Sequence, residues 1–102
     1  MHELMEIARY MRDELETADM YAYEANKHKG EMPDMAHHYY KAALEHMVCA
    51  DTLREGASRM IDEHRRNGHA DHEHMATIWA FETEMAMHRR ECVQKKLDMY
   101  KG

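Results

Sequence analysis

The sequence predicts an all-α protein, an antiparallel up-down-up bundle of three long helices. Three observations predict this. One proline and four glycines in 102 residues are too few for the many turns of an all-β chain. Apolar residues recur in steps of three and four, the period of a helix face. The breakers are confined to two short stretches, "KHKGEMPD" and "RRNGHAD".

Each element follows from those breakers. Gly30 ends the first helix, Pro33 suits the first turn of the second, and Asp34 is favourable at its N-terminus. Arg65 and Arg66 fit a last helical turn, Asn67-Gly68 stops it, and Asp71 is a candidate N-cap for the third helix. The expected helices therefore run over about 3–29, 33–66 and 71–100 of a single 1–102 domain. Short turns between long helices make antiparallel neighbours.

The inward faces come from the same periodicity. The first helix buries Leu4, Ala8, Met11, Leu15, Ala18, Ala22 and Ala25, with Ile7, Glu14 and Tyr21 at one edge. The second is expected to bury Tyr39, Ala43, His46, Ala50, Leu53, Ala57, Met60 and His64. The third is apolar twice over. Its expected inward stripe is His74, Ile78, Phe81, Met85, His88, Cys92 and Met99, and nearly opposite stands a second stripe of Trp79, Thr83, Ala86, Val93, Leu97 and Tyr100. A monomer would leave that second stripe wet, so it is the expected interface of a homo-oligomer, a dimer in the simplest case.

Composition narrows the function. An apolar fraction of 44%, a charged fraction of 33% and a net charge of −6 describe a globular chain with no basic stripe for nucleic acid. Nothing resembles an export signal or a membrane span, so the expected location is cytoplasmic and no membrane partner is expected. Two cysteines are no disulfide framework and are expected as thiols. No phosphate loop, nucleophile elbow or Ser-His-Asp arrangement is present, and no catalytic residue is assigned.

His46 raises the chemical question, because an imidazole on a buried stripe needs a partner. With the turns centred near 31 and 68, Glu14 faces position 48 and position 48 faces His88. Glu14, His46, Cys49 and His88 then share one layer, and Cys92 lies about one turn away. His46-x-x-Cys49 and His88-x-x-x-Cys92 each present two side chains from one helical face, a nitrogen and sulfur donor set suited to zinc, with iron or copper as alternatives. A structural or sensing metal held by some of Glu14, His46, Cys49, His88 and Cys92 is one expectation. The other is a metal-free oligomeric scaffold or protein-interaction bundle with no catalysis. The histidines of "HADHEH", His37-His38 and the Met32-x-x-Met35 pair read as solvated turn residues and gap fillers.

Residues 10 to 60 resemble the ferritin-like superfamily, the bacterioferritins and rubrerythrins. Glu14-x-x-Thr17-x-x-x-Tyr21 stands where that family has Glu-x-x-Ala-x-x-x-Tyr, and His46-x-x-Cys49-Ala50 stands where it has Glu-x-x-His-Ala. The resemblance implies an antiparallel hairpin and a layer related to a metal site. It does not imply di-iron chemistry, since His46 replaces the bridging Glu, Cys49 replaces the ligand His, and no fourth helix is present.

Overall fold

The computed structural model describes residues 2–68 and 72–102, without the side chains of His2 and His72. Three helices account for it: α1 (His2–His28), α2 (Pro33–Arg66) and α3 (His72–Lys101), with no strand among the described residues. The cap expected at Asp71, and the imidazoles expected at His69 and His72, lie outside what is described. The three helices lie along a rod of 56 × 19 × 17 Å. Its length is close to that of the single helix α2, whose 34 residues at about 1.5 Å each span roughly 51 Å.

The helix ends follow their local chemistry. Pro33 opens α2 and Asp34 stands in its first turn, where a carboxylate meets the exposed N–H groups. At the other end the Asn67 N–H donates to the Glu63 carbonyl at 3.0 Å, and the Gly68 N–H donates to Arg65 at 3.1 Å. Gly68 has φ 72°, a left-handed conformation open to glycine at little cost.

Two packed clusters form the core. Leu4, Ala8, Met11 and Leu15 of α1 meet Ala50, Ala57 and Ile61 of α2 and Met75, Trp79 and Ala86 of α3. Further along, Ala18, Ala22 and Ala25 meet Tyr40, Ala43 and Met47, and Val93 and Leu97 close the far side. The run of three alanines lets the tyrosine and methionine of α2 pack against the α1 backbone. All seven residues of the α1 stripe are buried, with Ile7, Glu14 and Tyr21 half-buried beside them.

The other two faces differ from expectation. In α2 the buried line is Ala36, Tyr40, Ala43, Met47, Ala50, Ala57 and Ile61. It is turned by roughly 60° from the expected one on 3.6-residue geometry, so His46, Leu53, Met60 and His64 sit at its half-buried edge. In α3 the two stripes exchange roles. Met75, Trp79, Ala86, Val93 and Leu97 are buried, with Thr83 and Tyr100 half-buried, so the residues expected to form an oligomer interface line the chain's own core. His74, Phe81, Met85, His88, Cys92 and Met99 are exposed and Ile78 is half-buried. The physical reason is polarity. The stripe left outside carries two imidazoles and a thiol, which are costly to bury without partners, whereas the buried one offers Trp, Val and Leu.

Side-chain pairs set the depth of each helix. Glu14 meets His46, and Tyr21 stacks on Tyr39 with centroids 6.0 Å apart. Arg90 of α3 holds Asp51 of α2, and Tyr40 stacks on Tyr100 at 4.8 Å. Asp51 was expected opposite position 85. The slide of five residues is roughly 7.5 Å along the axis.

Candidate functional site

The α1–α2 seam carries a row of polar and aromatic side chains. The Glu14 carboxylate and His46 Nδ1 are joined across it, both half-buried. The Tyr21 ring lies over the His46 ring with centroids 5.5 Å apart, Tyr39 follows, and His28 stacks on Tyr39 at 5.9 Å. The row ends as it began, with His28 Nε2 3.0 Å from Glu24. Each imidazole thus has a carboxylate and a ring face, which satisfies its polar edge and covers its flat one. This answers why His46 is tolerated at the edge of a core: it is partnered within the chain.

Of Glu14, His46, Cys49, His88 and Cys92, some of which were expected to hold a metal together, only Glu14 and His46 meet. Cys49 lies exposed on α2, and His88 and Cys92 lie exposed on the outer side of α3. Among the described residues no three His, Cys, Asp or Glu side chains gather into a group that could hold a metal ion. Both cysteines are free thiols.

Several cross-helix pairs escaped the sequence reading. Arg12 donates to Glu82 at 2.9 Å, Lys96 to Asp19 at 2.6 Å, and Asn26 Nδ2 to the Lys96 carbonyl at 2.8 Å. Arg90 donates through Nε and Nη2 to the two oxygens of Asp51 at 2.9 and 2.8 Å. These hydrogen bonds raise the Arg90 pKa above its ordinary value against the opposing pull of burial, helped by the Asp51 charge. The available signal was that Glu82 and Arg90 stand nearer the Trp79 stripe than the Phe81 stripe.

Two surface features remain. A groove of about 500 Å³ between α2 and α3 is lined by Ser58, Ile61, Asp62, Trp79, Thr83 and Glu84, among others. The Thr83 hydroxyl is buried in its wall and has no hydrogen-bond partner among the described residues. The second feature is the outer stripe of α3, where Phe81 is 62%, Met85 56% and Met99 67% exposed. Exposed apolar side chains also stand in pairs elsewhere, Leu44 with Val48 on α2 among them; on α3 Phe81 and Met85 stand one turn apart, with Met99 further along the same side. No helix among the described residues is long and apolar enough to cross a membrane.

No protein-family model, curated protein or solved structure matches the chain.

Proposed function

We propose that this chain is a self-associating helical-bundle module, an up-down-up bundle whose α3 outer stripe is covered by α3 of a second copy. The observation that carries the reading is the spacing of that stripe. Ile78, Met85, Cys92 and Met99 recur every seven residues, and His74, Phe81, His88 and Lys95 do the same in between. Alternating steps of four and three are the seam of a two-stranded coiled coil, here on a helix whose opposite face is already buried. Ile78, Phe81 and Met85 stand on successive steps of that seam, and neighbouring apolar side chains left facing water mark an interaction site.

The flanks of the seam favour a second copy and an orientation. One flank is acidic, with Glu84, Glu91 and Asp98; the other carries Glu82, Arg89 and Lys96, of which Glu82 and Lys96 are already held by Arg12 and Asp19 of α1 and Arg89 faces outward. In a parallel in-register pair, each acidic flank residue faces the residue five positions later on the other copy. Glu84 then faces Arg89 on both sides of the two-fold axis. An antiparallel pair would set acidic flank against acidic flank. Lys95 falls on the seam near its end, where its stem covers apolar surface and its ammonium reaches water one turn after Glu91.

The two free, exposed thiols suit a reducing, cytoplasmic setting. The meeting of Glu14 and His46 beside Tyr21 supports a ferritin-like hairpin in α1 and α2, with no reaction carried over.

Light scattering on the purified chain tests the reading. The parent is expected at twice the chain mass, and the double variant Phe81→Glu, Met85→Glu at the single-chain mass with its helical circular dichroism retained. A parent that runs as one chain at micromolar concentration sinks it.

A further inference from the structure

The outer seam carries two metal-ligating side chains that the fold itself leaves idle. His88 and Cys92 stand one helical turn apart on the exposed face of α3. Neither has a hydrogen-bond or ion-pair partner among the described residues. Four residues apart on a helix, they project side by side. Two donors are too few for a tetrahedral ion, which is consistent with the absence of any larger ligand group among the described residues of one chain.

We propose that two copies of the chain together bind one zinc ion through His88 and Cys92 of each. The inference rests on the parallel α3 pairing proposed above. His88 and Cys92 occupy successive layers of that seam, so the two-fold axis sets the two imidazoles against each other in one layer and the two thiols against each other in the next, about one helical turn along. The result is a two-nitrogen, two-sulfur donor set, the composition of structural zinc sites, drawn from two facing i,i+4 pairs. Soft thiolates with imidazoles select zinc over magnesium or calcium. Both thiols enter as thiolates: two Cys–SH groups and one Zn²⁺ give a bis-thiolate zinc centre and two protons released to solvent, with no change of oxidation state. Zinc would also remove the cost of burying two imidazoles and two thiols at a dimer seam.

The test uses the untagged full-length chain, loaded with Zn²⁺ or Co²⁺. Elemental analysis is expected to find one zinc per two chains. Cobalt titration is expected to produce the absorption of tetrahedral coordination with a thiolate charge-transfer band, saturating at half an equivalent per chain. Cys92→Ser and His88→Ala each abolish both signals, whereas Cys49→Ser, off the seam, leaves them intact. Light scattering separates the two readings. A dimer that takes up no zinc, or that keeps its zinc in Cys92→Ser, overturns the metal site and leaves the pairing standing. A single-chain mass with or without zinc overturns the pairing beneath it.

Discussion

Arg90 grips Asp51 through two parallel hydrogen bonds of 2.9 and 2.8 Å, and this pair fixes how far α3 is slid along α2. A guanidinium opposite a carboxylate satisfies two donors and two acceptors in one plane, so it specifies a register as well as contributing energy. The half-exposed setting keeps the energy modest.

A double-mutant cycle on Asp51→Ala and Arg90→Ala is therefore expected to return a coupling of about 1 kcal/mol in denaturant unfolding. The sign of the pH dependence follows from the raised Arg90 pKa. For a base whose folded pKa lies above its unfolded one, the stabilisation is complete below the unfolded value and fades only as pH rises through the folded value. Arg90's own titration thus leaves stability level across neutral pH and erodes it only in strongly alkaline solution. Unfolding midpoints of parent and Arg90→Ala between pH 7 and 9 should stay separated by a constant interval; a gap that closes across that range contradicts the assignment.

The choice between the two faces of α3 has a direct stability test. Leu97 is fully buried in the core with Val93, and Leu97→Ala is expected to cost about 3 kcal/mol by removing apolar volume that the bundle cannot refill. His74 is exposed, and His74→Ala is expected to change stability by less than about 0.5 kcal/mol. Equal costs at the two positions would show that α3 packs with its other face inward.

The orientation of the proposed dimer rests on charges that can be exchanged. Glu84→Lys sets lysine against Arg89 of the second copy twice, and is expected to weaken dimerisation roughly fivefold to tenfold. Adding Arg89→Glu to the same chain restores the pairs and the affinity. Analytical ultracentrifugation reads both. An antiparallel dimer predicts the opposite first step, since Glu84→Lys would then relieve an acidic flank and tighten the association.

The legible part of the molecule was the part governed by neighbours in sequence. Gly30, Pro33 and Asn67-Gly68 mark the two turns because each acts within a few residues of itself. The α1 stripe, Leu4 to Ala25, reads cleanly because its opposite side is charged. The Glu14–His46 contact came within two residues of its expected register, since a short turn leaves little room for error. Cys49, His88 and Cys92 were misplaced for two separable reasons. Cys49 stands beside His46 on the outward side of a stripe turned by about 60°. His88 and Cys92 lie on one of two apolar faces that periodicity alone ranks equally.

By itself, then, the sequence determined three helices, their ends and the inward line of α1, because turn chemistry and a one-sided hydrophobic period are local properties. Only the tertiary structure decided which face of α3 is core, and at what depth α3 lies. That choice depends on groups distant in the chain: Asp51 waiting for Arg90, Arg12 for Glu82 and Asp19 for Lys96, with Trp79, Val93 and Leu97 filling the space between them. A helix that is apolar on two sides carries no instruction about which side turns inward until its charged neighbours find their partners.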